Sequence, residues 1–216
     1  STAASYSWAI DNIRFFGGEA ALPMRTRMGV ADAMDFPYAA IPAFKVYVDA
    51  GHGWNNTNNG DWDSGATGSG YQEADLNAEL ADMVGGILRD KYGMDVYVND
   101  DGGWYKLRHA EAIDLGCDAL VSIHFNSGGG TGTESLIHEY NASYLSASWQ
   151  DQIHPYLIGA LGLSNRGEKT QEVAILSGYL PATLLEICFI DNEDDMSTYE
   201  ANKYAVAEAI AEGIVS

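Results

Sequence analysis

The sequence predicts an α/β fold, a single domain with a twisted, mostly parallel sheet flanked by helices on both faces. Three observations predict it. From Lys45 onward, short β-branched or apolar runs alternate with segments whose apolar residues recur every three to four positions. Several of the strand-like runs, such as DALVSI and TLLEICFI, are apolar almost throughout, as in strands covered on both faces. With 216 residues, 46% of them hydrophobic, the chain is long and apolar enough for one sizeable core.

The elements follow in order. Residues 1 to 44 differ from the rest and end in FPYAAIPAF, with prolines at 37 and 42, so they are expected to form an N-terminal extension and a stiff connector. The folded domain is expected over 45 to 216. KVYVD begins it as a strand, and AGHG follows as a loop. Leu76, Leu80, Met83, Val84, Ile87 and Leu88 mark one face of a helix. DVYV, at 95 to 98, predicts a second strand, and WYKLRHAEAIDLG a helix closed by Gly116. DALVSIHFN reads as a buried strand ending at the glycines 128 to 130, and TESLIHEY as another. A helix over 143 to 161, strands at EVAIL (172 to 176) and TLLEICFI (183 to 190), and a final helix from Ser197 to Ile214 complete the pattern.

The charge narrows the partners. Eleven Lys and Arg stand against 31 Asp and Glu, a formal charge of -20, which argues against nucleic acid or an anionic membrane surface as the main partner. No run is long and apolar enough to insert into a membrane. The start, STAASYSW, lacks the features of a secretory signal, so export is expected after signal removal or by another route. Cys117 and Cys188 lie in apolar runs and are expected to be buried thiols rather than a disulfide framework.

In a parallel sheet, functional groups gather beyond the carboxyl ends of the strands. His52 follows KVYVD by three residues between two glycines, and His124 ends DALVSIH. Glu73 opens the first long helix after the loop NNTNNGDWDSGATGSG, which is long enough to bring it back beside His52. Two imidazoles and a carboxylate form a known zinc set with a fourth position left for water. Each has a structural alternative: a histidine at a strand end often only packs, and an acid at a helix start is favoured by the dipole. The residues alone leave the metal undecided. Glu186 interrupts the apolar run TLLEICFI, where an unpartnered carboxylate is costly. It requires either a structural ion pair or a cleft in which it serves as a general base.

The segments VDAGHG, Glu73 before ADLN, LRHAEAIDLGCDALVSIHFN, NRGEK and LPATLLEICFIDN resemble, in order and spacing, the zinc-dependent, peptidoglycan-cleaving N-acetylmuramoyl-L-alanine amidases. The resemblance implies one Zn2+ per chain on His52, Glu73 and His124, with Glu186 as the base that activates a zinc-bound water. The implied substrate is the amide between the lactyl group of N-acetylmuramic acid and the L-alanine of the stem peptide, and the implied partner is peptidoglycan. Asn126 and Arg166, both in matched segments, are candidates for substrate binding or for stabilising the oxyanion. An endolysin or autolysin acting outside the cell or in the wall is expected, as a monomer. A zinc peptidase or deacetylase on another amide and a non-catalytic wall-binding module are the rival readings.

The turn departs from the family pattern at GHGW, where a second glycine is common. Asp61 and Asp63 in the following loop do not make a calcium loop, because the sixth and twelfth positions are Ala66 and Gln72. His138 and Glu139 are expected to face opposite ways on a strand, and His109 and His154 to be surface residues of helices. Trp54, Trp62 and Trp104 are expected at loops near the cleft, with stacking on sugar rings or rim packing as their roles.

Overall fold

The computed structural model describes residues 44 to 216. The expected extension, apart from Phe44, lies outside the described residues. In chain order the elements are β1 (Lys45–Ala50), β2 (Gly53–Trp54), β3 (Trp62–Asp63), β4 (Thr67–Gly68), β5 (Tyr71–Gln72), α1 (Glu73–Tyr92), β6 (Asp95–Asn99), α2 (Arg108–Asp114), β7 (Ala119–Asn126), β8 (Thr133–His138), α3 (Ser146–Leu161), β9 (Asn165–Gln171), β10 (Ala182–Phe189) and α4 (Glu193–Val215).

Six strands form one sheet in the order β6-β1-β7-β10-β8-β9. The first four are mutually parallel, β8 runs antiparallel to β10, and β9 runs parallel to β8. The central strands are buried on both sides, which accounts for their unbroken apolar runs. On one face, Val46, Val48, Val121, Ile123 and Leu185 pack with α1, α3 and α4 in the larger core. On the other face, Tyr47, Leu120, Leu136 and Leu184 pack under α2 and the short turn of 3-10 helix Ala174–Leu176. Helices therefore lie on both faces, but very unequally. The thinly covered face is the one on which polar side chains gather.

Three local expectations are corrected, and one strand was not foreseen. EVAIL does not extend as a strand: Ala174–Leu176 is the 3-10 turn, because it must bend so that Ile175 and Leu176 plug the smaller core. NRGEKTQ, too polar to read as a strand, is the edge strand β9, where only one side pairs and hydrophobicity is not required. The helix expected from Trp104 begins at Arg108. Its first residues instead form a turn in which Leu107 N–H donates to Trp104 O. His109 and His154 are buried rather than at the surface. His109 Nδ1 faces Ile175 O at 3.0 Å and its Nε2 accepts from Leu180 N–H at 3.2 Å, while His154 bridges Ser135 and Asn165. Cys117 and Cys188 are free, buried thiols, as expected.

Candidate active site

His52 stands just beyond the carboxyl end of β1, and its backbone takes a φ of 68°, a left-handed conformation uncommon outside glycine. Three contacts hold it there. Arg108, 2% exposed, donates to Asp49 Oδ1 (2.9 Å), Ala50 O (2.8 Å), His52 O (2.6 Å), Asn56 Oδ1 (3.0 Å) and Gly103 O. Asn77 of α1 donates to Gly51 O. The third contact is to the ring itself. Pairing of Gly53 with Asp63 across β2 and β3 folds the Asn/Gly/Asp loop back, and Asp63 Oδ2 meets His52 Nδ1 at 3.0 Å. Asp63 is fixed in turn by Asn56 Nδ2 and Gly65 N–H.

The second hairpin, β4 with β5, delivers Glu73 at the first residue of α1. Glu73 is buried, with Ala66 N–H donating to Oε2 (2.7 Å) and Phe125 N–H to Oε1 (3.2 Å). The same Oε1 lies 3.2 Å from His52 Nε2 and 2.9 Å from His124 Nδ1. One ligand atom from each of the three residues falls within 4.8 Å of the others. Two glycines permit this closeness. A Cβ on Gly51 would strike the His124 ring, and one on Gly65 would strike both Glu73 Oε2 and the His52 ring.

This group fits a metal cation. Burial by itself pushes Glu73 up, but hydrogen bonds from His124 and His52 outweigh it and hold the carboxyl well below its usual range. Burial pushes His52 down, yet Glu73 and then Asp63 pull it up to about 9. Such a pocket favours positive charge at the point where the three ligand atoms converge, and its donors are two imidazoles and one carboxylate with a second carboxylate behind.

Glu186 on β10 is in register with His124 on β7 and with Glu134 on β8, so the three side chains share one face of the sheet. Its Oε2 is buried and has no hydrogen-bond partner among the described residues. Burial raises its carboxyl, and although His124 opposes this, Glu73 and Glu134 add to it, giving about 7. A carboxyl half ionised near neutrality beside a cation site can accept and return a proton.

Asn126 and Arg166 come together on Glu134 rather than on the His-Glu-His group. Asn126 Nδ2 donates to Glu134 Oε1 at 3.0 Å, and Arg166 Nε and Lys169 Nζ both donate to Oε2. His138 is at the far end of β8, its Nδ1 accepting from Tyr140 and Asn141 N–H. Trp54 and Trp62, 57% and 41% exposed, meet edge to face at 5.7 Å on the hairpin beside His52, and Trp62 Nε1 donates to Gln72 Oε1. Sequence reasoning missed Asp63 and Arg108. DSGA after the GHG turn carried a signal for the first; nothing local marked the second.

Comparisons with known proteins bear on the fold and on the family. The sporulation-specific N-acetylmuramoyl-L-alanine amidase of Bacillus subtilis (strain 168) is 33% identical over 177 residues, covering 79% of this chain and 66% of that protein. The endolysin of Bacillus phage SPP1 is 33% identical over 180 residues, covering 78% and 64%. The chain thus spans slightly under two thirds of these curated relatives. Among solved structures, the catalytic domain of the amidase CwlV from Bacillus (Paenibacillus) polymyxa var. colistinus superposes with a TM-score of 0.69 at 30% identity, covering 79% of this chain and 96% of that one. A family model described as N-acetylmuramoyl-L-alanine amidase matches residues 46–216. Since that match runs from the first strand to the last residue, through every side chain of the site, the chain belongs to the N-acetylmuramoyl-L-alanine amidase family.

Proposed function

We propose that this protein hydrolyses the amide between N-acetylmuramic acid and the L-alanine of the peptidoglycan stem peptide, with His52, Glu73 and His124 holding one zinc ion and Glu186 as general base. The observation that carries the reading is the buried, unpartnered Oε2 of the half-buried Glu186, in register with His124 and beside three ligand atoms within 4.8 Å of one another. When bound, the zinc supplies a Lewis acid that polarises the scissile carbonyl and eases deprotonation of water. Glu186 Oε2 takes the proton of the attacking water and returns it to the leaving nitrogen of L-alanine. Asp63 keeps the His52 ring turned so that Nε2 faces Glu73, and Arg108 keeps the backbone beneath it in place. The exposed Trp54 and Trp62 offer a sugar ring an aromatic surface on the His52 side.

Action at the cell wall is supported by relatives named as a phage endolysin and as N-acetylmuramoyl-L-alanine amidases. Among the described residues no helix is long and apolar enough to cross a membrane. The test is a digest of purified walls: new L-alanine amino termini without new reducing sugar are expected, and cuts within the stem peptide would overturn the reading in favour of a peptidase. Glu186→Gln is expected to retain one zinc per chain while kcat falls by about 10²- to 10⁴-fold.

A further inference from the structure

Two cations on the edge strand stand on the same face of the sheet as Glu186. His124, Glu186 and Glu134 form a row across β7, β10 and β8. On β9, Gly167 is opposite Glu134 and Lys169 is opposite Leu136, which puts Lys169 on that face as well. By simple alternation Arg166 would face the other way. The register, however, passes from Thr133 with Asn165 directly to Glu134 with Gly167, so Arg166 is the extra residue of a β-bulge, and Gly167 takes a φ of 91° that accommodates it. The bulge turns Arg166 back to Glu134 Oε2 at 2.5 Å, with its guanidinium carbon 4.8 Å from the centre of the Phe189 ring.

Glu134 balances one of these two charges, not both. It is also the inward member: its side chain is 10% exposed, against 35% for Arg166 and 40% for Lys169. The carboxylate anchors, and the cations face the solvent. Arg166 Nη2 has no hydrogen bond among the described residues, and Lys169 directs its one recorded bond to Glu134. An excess positive charge with free donors is unusual on a chain with 11 basic and 31 acidic residues, and it lies at the active-site end of the sheet. Neighbouring strands are about 4.8 Å apart, and both cationic heads reach Glu134 on β8, the strand beside Glu186, so they lie roughly one strand spacing from it. A peptide advances about 3.5 Å per residue. An anion held by these heads therefore belongs to the residue after the one whose amide is cut.

We propose that Arg166 and Lys169 form a subsite for a free carboxylate on the second residue of the stem peptide, and that the protein distinguishes an acidic second residue from its amide. The proposal rests on the amidase reading above. It also orients the substrate, with the peptide running over β8 and β9 and the sugar towards the β2 and β3 hairpin.

The test measures binding to zinc-loaded Glu186→Gln protein by calorimetry, using muramoyl-L-alanyl-D-isoglutamate and the corresponding isoglutamine. The acid is expected to bind about tenfold more tightly, the size of one part-exposed charge-assisted contact. Lys169→Met and the double change Arg166→Gln with Lys169→Met are expected to bring the two ligands within about threefold. A general structural defect would weaken both ligands alike and preserve their ratio, so the ratio reports the subsite itself. Adding Glu134→Gln to the double change removes all three charges together and avoids a stranded buried carboxylate. Equal affinities in the parent protein, binding of neither ligand, or a ratio untouched by the changes on β9 would each overturn the proposal. Failure of the amidase reading is read separately, as walls that release no L-alanine amino termini.

Discussion

His52 combines a left-handed backbone with a ring that faces Glu73, and two residues outside the proposed ligand set impose both conditions. Asp63 holds Nδ1, so Asp63→Ala is expected to weaken zinc binding by about 10- to 100-fold while the fold persists. Competition with a chromogenic chelator measures this, and unchanged affinity would show that the hairpin alone orients the ring. Arg108 spends its guanidinium donors on Asp49 and on the loop around His52, all of it buried. Arg108→Met leaves the Asp49 charge without its cation and is expected to cost about 3–5 kcal/mol in urea unfolding. As the proposed base, Glu186 is expected to set the pH dependence of turnover. The base acts only when ionised, so kcat/KM is expected to rise with pH through an apparent pKa of about 7 or lower, since a bound cation favours the carboxylate. A profile flat from pH 5 to 8 would remove Glu186 from the role.

At the scale of elements, α2 is short, and its tie to the neighbouring 3-10 turn runs through His109. Its ring packs against Gly178, where a Cβ would strike it, and it ties the 3-10 turn and the following loop to α2 through Ile175 O and Leu180 N–H. Those two backbone partners require a neutral ring with the proton on Nδ1, because Nε2 must accept. Burial pushes the His109 pKa down, against the weaker upward pull of its bond to Ile175 O. The folded state therefore binds fewer protons than the unfolded chain below the ordinary histidine value. Stability from this group is complete above about pH 6.5 and is lost as pH falls, at up to about 1.4 kcal/mol per unit. Urea midpoints at pH 7.5 and 5.5 should separate more for the parent than for His109→Asn; equal separation would assign the acid sensitivity elsewhere. β9 shows the limit of reading elements from sequence. Its polarity hid a strand because an edge strand is buried on little of its surface, and EVAIL misled in the opposite sense, since apolar residues filling a core need not extend.

For the whole molecule, the sheet order brings His52 and His124 together through β1 and β7, adjacent strands separated in sequence by α1, β6 and α2. Metal binding to such an assembled site stabilises the fold by mass action. At a thousandfold excess over Kd the gain is about 4 kcal/mol, so the melting temperature is expected to fall on chelation and recover with zinc in scanning calorimetry. A melting temperature indifferent to chelation would contradict a site formed by the folded state alone.

The amino-acid sequence by itself determined the alternating elements, the catalytic residues proposed, and the family, because periodicity and ordered motifs are properties of neighbours along the chain. His52, Glu73, His124 and Glu186 could be nominated that way: each interrupts a pattern, beside glycine, at a helix start, or inside an apolar strand. Tertiary structure alone decided that Arg108 braces the His52 loop, that His109 and His154 are interior, and that a bulge turns Arg166 onto the active face. Those roles depend on which strands become neighbours and which face each side chain meets. Backbone hydrogen bonding settles that across tens of residues, where no local spacing records it.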